Sequence, residues 1–222
     1  MVDNEFKIPG YNDLTFCRNI SDGNGGWIYE NNDVFVKAFC LSPDNDMVME
    51  VCNISGILSD KISEYVPKVH AVFKTDTFIA LVMQKIRGST LAEFISEHHT
   101  ARSVQPIVVS LVSAVIALHD AGYAHGDLHQ NNIIIENNRA ILIDFFETRP
   151  IEDISDDISD YIQLRHHIAQ LIYPDLPKKI CIAETLRLIE DYDVTKVIGY
   201  NSDPALAEAL FNILMLFKSY YE

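Results

Sequence analysis

The stretch at residues 123–146 constrains the fold more than any other part of the chain. It begins with a polar loop, Tyr-Ala-His-Gly-Asp-Leu-His-Gln-Asn-Asn, which carries His125, Asp127 and Asn132. Two short apolar runs follow, joined by a turn whose asparagines tolerate the left-handed backbone of a tight hairpin. Asp144 comes directly after the second run. The pattern predicts a loop and a β-hairpin that direct carboxylates and an amide toward a common space.

Each of these polar residues also has a purely structural explanation. Aspartate and asparagine often cap turns, and an aspartate often ends a strand. The order and spacing of the side chains together favour chemistry over capping. Their oxygens suit a proton acceptor and hard ligands for magnesium, both of which phosphoryl transfer needs.

The stretch resembles the catalytic loop and metal-binding motif of the protein-kinase superfamily, His-x-Asp-x-x-x-x-Asn followed by Asp-Phe-Gly. The resemblance implies that Asp127 is the base or positions the acceptor hydroxyl, and that Asn132 and Asp144 hold Mg²⁺. It assigns His125 a supporting role in the loop. It also implies an α+β, bilobal fold, with a small β-sheet N-lobe containing one helix and a reduced helical C-lobe lacking a full activation segment.

The length of 222 residues suits one such domain, and a hydrophobic share of 48% supports a core. The resemblance divides the chain into an N-lobe at residues 1–83, a hinge at 84–88 and a C-lobe at 89–222. The net charge of −15 argues against nucleic acid or an anionic membrane as the main partner, because both attract basic surfaces.

The cysteines form no close pair, which predicts free thiols rather than a zinc cluster or a disulfide framework. The first residues lack the apolar core of a signal peptide, and no apolar run approaches membrane-spanning length. We therefore expect a soluble, cytoplasmic protein without membrane insertion. Secretion into the cytosol of a host cell would need a signal that this pattern does not show.

Glycines precede an aromatic-rich strand, where they would let the backbone approach phosphates and aim N–H groups at them. They are Gly23, Gly25 and Gly26, and a simple hairpin turn is the alternative explanation. The next strand, Val-Phe-Val-Lys, ends in Lys37, the position of the family's lysine on the α- and β-phosphates. By this resemblance, the glycines and the lysine bind ATP.

A helix is predicted at residues 43–58 from apolar side chains at helical spacing, namely Met47, Val51, Ile54 and Leu58. Glu50 lies beside this stripe and is the only acidic residue between Asp46 and Asp60. We therefore expect Glu50 to pair with Lys37, and the alternative is a solvated carboxylate.

Two further strands, at residues 69–74 and 77–83, form the next predicted hairpin, and a polar stretch then breaks the pattern. The resemblance makes this break the hinge. Met83 takes the gatekeeper position, and the backbone of Gln84 and Ile86 is expected to bind adenine.

The C-lobe is predicted to be helical, at residues 90–97, 103–119, 157–172, 178–192 and 204–220. In the second of these helices Gly122 is expected as the C-terminal cap, and the apolar residues form one stripe, namely Val108, Leu111, Val112, Val115 and Ile116. In the third of these helices, Asp160 rather than Asp157 is expected to brace the backbone of the catalytic loop, as an aspartate does in kinases. The alternative is a carboxylate favoured by the helix dipole.

Three features depart from the family pattern. Gly126 replaces the arginine before the catalytic aspartate, Phe146 replaces the glycine of the metal motif, and residues 147–154 alone lead to the next helix. So short a segment has no room for a conventional activation loop. Since that arginine normally reads a phosphate on that loop, the two losses are consistent. We therefore expect an enzyme that is not switched by phosphorylation there.

The resemblance predicts an ATP- and Mg²⁺-dependent protein kinase acting on Ser or Thr. It is similar to the RIO-like and KEOPS-associated kinases and to the small effector kinases that bacterial pathogens inject, which would make host proteins candidate substrates. Aminoglycoside and choline phosphotransferases also write the loop as His-Gly-Asp-Leu-His, so a small-molecule kinase is one alternative. The short stretch between Gly88 and His125 leaves little room for their helical insertion. A pseudokinase that serves as an interaction module is the other alternative.

Overall fold

The chain folds as two compact units, Met1–Ile86 and Arg87–Glu222, and each is described by itself. The boundary between them falls within the predicted hinge. The computed structural model describes residues 8–20, 26–41, 45–97, 101–152 and 155–172.

Some of the predictions fall outside these described residues. They are the glycines Gly23 and Gly25 and the helices predicted at 178–192 and 204–220. Within the described ranges, no helix has both the length and the apolar character needed to span a bilayer.

The first unit is built on an antiparallel sheet of five strands in the order β1-β2-β3-β5-β4. Helix α1 packs against β4 and β5. The predicted strand positions agree with those observed to within about one residue, except that β3 continues three residues beyond its predicted end at Lys37. The elements are β1 Thr15–Asn19, β2 Gly26–Glu30, β3 Val34–Cys40, α1 Asn45–Lys61, β4 Val69–Lys74 and β5 Phe78–Gln84.

Lys37 and a buried apolar cluster lie on opposite faces of the sheet. Side chains alternate along a strand, so Val36 and Ala38 of β3 point away from the face that carries Lys37. Both are fully buried, in a cluster that Ile8 joins from the segment before β1. Lys37 is half-buried on the opposite face, in register with Leu81 of β5.

Helix α1 buries a different face from the one predicted. Three of the four stripe residues are buried, but Met47 is 42% exposed. The buried face continues instead through Val48, Cys52 and Ser55. At roughly 100° per residue, the packed face is rotated by roughly 60° from the predicted stripe, away from Glu50. Glu50 is consequently exposed, so the structure does not support the expected pairing with Lys37.

The second unit combines helices with short strands. Strands β6, β8 and β9 form one sheet, and β7 pairs with β10. The elements are β6 Ser89–Thr90, α2 Leu91–Ser96, α3 Ala101–Asp120, β7 Tyr123–Ala124, a 3₁₀ turn Gln130–Asn132, β8 Ile133–Glu136, β9 Arg139–Leu142, β10 Arg149–Pro150 and α4 Ser155–Ile172.

Helix α3 forms the centre of this unit and packs against β9 and α4. Its predicted stripe is buried at Val108, Leu111, Val112 and Val115. Gly122 follows the helix with a φ of 92°, a left-handed value that most residues with a side chain avoid. The N–H of Gly122 donates to the carbonyl of His119 at 2.8 Å. This cap turns the chain into β7 and the polar loop.

The hairpin predicted from two asparagines is present as β8 and β9. Asn137 and Asn138 form its turn with φ values of 52° and 63°. Two consecutive left-handed residues are the requirement of a type I′ turn, whose twist matches that of the strands. The hairpin ends beside the polar loop, since the N–H of Ile143 donates to the carbonyl of Asn132 at 2.9 Å.

Candidate functional site

His125 ties the polar loop to the end of the hairpin. Its ring is completely buried and packs on Phe145, with ring centres 5.4 Å apart. Nδ1 lies 3.4 Å from the donating N–H of Asp127, and Nε2 lies 3.1 Å from the carbonyl oxygen of Ile143. An accepting Nδ1 and a donating Nε2 describe one neutral tautomer. The side chain therefore connects the residue before Asp144 to the backbone of Asp127.

Asp160 braces the same loop from α4. Its carboxylate is 1% exposed and accepts the N–H groups of His125 at 2.6 Å and Gly126 at 3.0 Å. The Nε2 atom of His119, at the end of α3, lies 3.0 Å from the same carboxylate. Burial lowers the pKa of His125, and the negative charge of Asp160 opposes that effect. Through its two hydrogen bonds, Asp160 satisfies the backbone N–H groups of His125 and Gly126 without a strand partner.

Asp127 and Asn132 are connected directly. The Nδ2 group of Asn132 donates to the backbone oxygen of Asp127 at 2.9 Å and to its Oδ2 at 3.1 Å. Asn132 is buried, whereas the Asp127 side chain is 47% exposed. Because both hydrogens of the amide are used, its Oδ1 atom is left as an acceptor. The pair presents a carboxylate and an amide oxygen.

Asp144 follows β9 in a left-handed conformation, with a φ of 66°. This region is costly for most residues with a side chain, and aspartate is among those that tolerate it best. Such conformations concentrate at functional sites, where the surrounding structure enforces them. The carboxylate is half-buried, and its charge is close enough to His125 to oppose in part the lowering of the pKa of that histidine by burial.

The oxygen groups of Asn132 and Asp144 fit a magnesium ion. Mg²⁺ prefers one or two carboxylates, with its remaining positions taken by water and phosphate oxygens. In the described part of the chain, no cluster of three or more His, Cys, Asp or Glu side chains could hold a metal by itself. Two protein oxygens would leave the remaining positions around such an ion to water and phosphate oxygens.

The segment after Asp144 folds back at once onto the loop. The N–H of Thr148 donates to the carbonyl of Phe145 at 3.3 Å, which closes a turn. The buried Thr148 hydroxyl donates to the carbonyl of His125 at 3.1 Å. Arg149 then pairs with Ala124 in the β7–β10 ladder. The segment is held by hydrogen bonds on both sides of the loop, in place of an activation loop.

Gly126 is required by this arrangement. Its φ is 79°, and a Cβ atom there would lie 2.3 Å from the carbonyl oxygen of Glu147. It would also lie 3.0 Å from an Nη1 atom of Arg149. A larger side chain would displace the backbone of the returning segment. The returning segment thus occupies the space that a side chain at position 126 would need. The missing arginine and the short segment are therefore linked.

Two histidines of the site were not predicted from the sequence. His119 packs edge-on against Tyr161 in addition to its contact with Asp160. His167 is 2% exposed, and its Nε2 atom lies 2.7 Å from the carbonyl oxygen of Leu128 in the loop. A helical signal existed for His167, because it lies seven positions after Asp160 on the same face of α4.

Burial lowers the pKa of His167 to about 4, from an ordinary value of 6.5. The unfolded chain binds this proton more readily, so the stability contribution is complete above pH 6.5 and is lost as the pH falls toward 4. The linkage predicts that His167 alone lowers the free energy of unfolding by about 2 kcal/mol at pH 5 relative to pH 7.5. Urea unfolding at both pH values measures this loss.

His167→Gln is the matched control, because glutamine keeps a donor near Leu128 and does not titrate. Its stability should fall less than that of the wild-type protein between the two pH values. An equal fall in both proteins would show that His167 is not the titrating group. Burial also lowers the pKa of His125, whose contribution has the same sign in both proteins.

The other site residues predicted in the first unit lie at the start of β2 and around the end of β5. Gly26 has no room for a side chain, since a Cβ atom would lie 2.3 Å from the carbonyl oxygen of Ala38. The N–H of Gln84 already donates to the carbonyl of Lys68 at 2.7 Å, so it is not available to adenine. Met83 and Ile86 are both half-buried.

No carboxylate of α1 takes the place intended for Glu50. The acidic residues of this helix in the described chain are Asp46, Glu50 and Asp60, and all of them are exposed. The buried polar positions of the helix are serines, Ser55 and Ser59. Among the described residues, the buried face of α1 therefore carries no carboxylate.

Comparison with known proteins identifies the chain's relatives. The family described as "Protein kinase domain" matches residues 30–159, more than half of the chain. The "Negative regulator of sexual conjugation and meiosis" of Schizosaccharomyces pombe is 27% identical over 60% of this chain and 31% of its own length. A "Probable casein kinase I homolog" of Encephalitozoon cuniculi is 26% identical over 62% of this chain and 46% of its own length.

A protein of Vaccinia virus named as a pseudokinase is also similar. It is 26% identical over 43% of this chain and 32% of its own length. The chain spans less than half the length of each of these relatives. The family match covers the loop, the hairpin and Asp144 together, and the antiparallel sheet with its single helix agrees with the same family. The chain belongs to the protein kinase family.

Proposed function

We propose that this chain is a protein kinase that transfers the γ-phosphate of ATP to Ser or Thr side chains of proteins. The observation that carries the proposal is the hydrogen-bonded pair of Asp127 and Asn132, beside Asp144 in its left-handed conformation. Each of these residues is fixed by contacts that a mere turn would not need. The family match and the relative named as a probable casein kinase I homolog support a kinase activity.

The described residues have separate roles in this proposal. Asp127 accepts the proton of the acceptor hydroxyl and orients that hydroxyl toward the phosphate. Asn132 and Asp144 would hold Mg²⁺, which supplies charge neutralisation on the phosphates when it is bound. Lys37 and Gly26 contact the phosphates of ATP, together with Gly23 and Gly25, which lie outside the described residues. The buried Asp160 and His125 keep the loop in place.

A protein substrate is favoured by the short stretch of chain between β6 and β7 in the second unit. The chain from β6 to β7 contains only α2 and α3 in its described residues. A pocket for a small acceptor such as an aminoglycoside or choline needs additional helices in this region, and these enzymes remain the alternative within catalysis.

A second candidate function is a pseudokinase that binds partners without catalysis. The observation that favours it is the exposed position of Glu50, the residue expected to form the ion pair with Lys37. In active kinases this ion pair must be in place for transfer. The intact set of Asp127, Asn132 and Asp144 favours catalysis.

One experiment separates these possibilities. The purified protein is incubated with γ-labelled ATP and Mg²⁺, in parallel with eukaryotic cell extract, with aminoglycosides and with choline. Label on Ser or Thr of proteins supports the proposal, and mass spectrometry then identifies the substrates and tests the predicted action on host proteins. Label on a small molecule supports the small-molecule alternative. A shift in melting temperature with ATP but no transfer supports the pseudokinase.

The kinase is expected to need no activating phosphorylation. The segment after Asp144 is already folded onto the loop through Thr148, and the carbonyl of Glu147 fills the space beside Gly126. An ordinary activation loop is ordered by a new contact between arginine and phosphate. Here Gly126 takes the place of that arginine, and residues 147–154 are too few for such a loop.

The measurement is the initial rate of transfer after phosphatase treatment, with mass spectrometry to confirm that the protein carries no phosphate. We expect the rate of the untreated protein and no lag. Loss of activity, with recovery only after rephosphorylation, would contradict this interpretation of the short segment.

A further inference from the structure

His129 has a fixed tautomer, which its place in the loop determines. It caps the 3₁₀ turn Gln130–Asn132, and its Nδ1 atom accepts the N–H of Asn131 at 3.2 Å. An imidazole nitrogen that accepts a hydrogen bond carries no proton. In the neutral ring the proton is therefore on Nε2.

The Nε2 atom faces the proposed base. It lies 3.5 Å from Oδ2 of Asp127, the same oxygen that accepts the Nδ2 group of Asn132 at 3.1 Å. Asn132 thus donates a hydrogen bond to this oxygen, and the imidazole of His129 makes a longer polar contact with the same atom. The other oxygen, Oδ1, accepts no hydrogen bond from the residues that the structure describes. The two oxygens of Asp127 are therefore not equivalent.

Resting on the proposed kinase activity, we propose that His129 is a positioning residue that keeps Oδ1 of Asp127 directed at the acceptor hydroxyl. The carboxylate of an aspartate turns easily, because its terminal torsion has broad minima. Asn132 alone holds one oxygen from one side. His129 adds a second contact on that oxygen, which opposes the rotation that would exchange Oδ1 and Oδ2.

Oδ1 of Asp127 is the proton acceptor in the transfer step. The acceptor hydroxyl gives its proton to Oδ1 of Asp127 while its oxygen forms a bond to the γ-phosphorus of ATP. The bond between that phosphorus and the bridging oxygen breaks, and ADP leaves with the electron pair. A misdirected carboxylate slows this step without changing how ATP binds.

Two substitutions separate the cap from the contact with Asp127. Asparagine is a favoured capping residue whose oxygen can replace Nδ1, but its side chain is too short to replace Nε2. Glutamine places a donor near the position of Nε2 and is a poorer cap. His129→Asn thus keeps the cap and loses the contact, and His129→Gln does the reverse.

The test measures kcat, KM for ATP and melting temperature for both variants, with myelin basic protein as the acceptor. We expect His129→Asn to lower kcat about tenfold with KM for ATP and melting temperature unchanged. His129→Gln should keep kcat within about threefold of the wild-type value, even where its melting temperature is lower.

Wild-type kcat in His129→Asn would overturn the proposal. An equal loss of kcat in the two variants would also overturn it, because the donor near Asp127 would then make no difference. Wild-type protein that transfers no phosphate to any acceptor would instead refute the kinase activity itself. The failure of the positioning role is therefore distinguishable from the failure of the proposed function.

Discussion

Replacement of Asp144 by asparagine is expected to reduce phosphoryl transfer by about 100- to 1,000-fold and to leave the melting temperature unchanged. Asparagine tolerates the left-handed backbone at this position, where φ is 66°. The substitution therefore removes the negative charge without straining the chain. The expected loss comes from a weaker ligand for Mg²⁺. Initial rates at several magnesium concentrations measure the effect.

Asp144→Ala is the informative companion. Alanine lacks the tolerance for a positive φ, so this variant should lose the same activity and about 1 kcal/mol of stability in addition. Asp120→Ala, at an exposed position at the end of α3, is the control and should change neither quantity. Near-normal turnover of Asp144→Asn at ordinary magnesium concentration would refute the metal assignment.

Replacement of Asp160 by alanine is expected to cost about 3–4 kcal/mol of stability and most of the activity. The buried carboxylate accepts the backbone N–H groups of His125 and Gly126 and contacts Nε2 of His119. Alanine leaves these donors buried without a partner. For a domain of this size the melting temperature should fall by roughly 10 °C.

Ser159→Ala is the control for this change, since residue 159 is exposed on the same helix. It should shift the melting temperature by no more than about 1–2 °C. Asp160→Asn keeps one acceptor oxygen and should be intermediate in stability. A melting temperature of Asp160→Ala equal to that of the wild type would show that the loop does not depend on this carboxylate.

The parts of the fold that the sequence predicts well are those set by local rules. The two asparagines of the β8–β9 turn, the glycine after α3 and the apolar stripe of α3 each appear where expected. The choice of Asp160 over Asp157 also agrees with the hydrogen bonds of the Asp160 carboxylate. In each case the residue type is demanded by its own backbone or by a contact of fixed geometry.

The expected pairing of Glu50 with Lys37 remains a prediction that the exposed position of Glu50 does not support. The packed face of α1 includes Cys52, Ser55 and Ser59, which are too small or too polar to register as an apolar stripe. Gly126 was recognised as a substitution, but its close approach to Glu147 depends on a contact between separate segments. Such contacts leave no periodic signal in a single sequence.

The central claim is that the loop around Asp127 catalyses phosphoryl transfer. Its most direct test is the initial rate of phosphate transfer from labelled ATP to Ser and Thr of myelin basic protein, compared between wild type and Asp127→Asn. We expect the wild type to label the acceptor without a lag and Asp127→Asn to be at least about 100-fold slower, at equal melting temperature. Equal rates in the two proteins, or no transfer by the wild type, would contradict the claim.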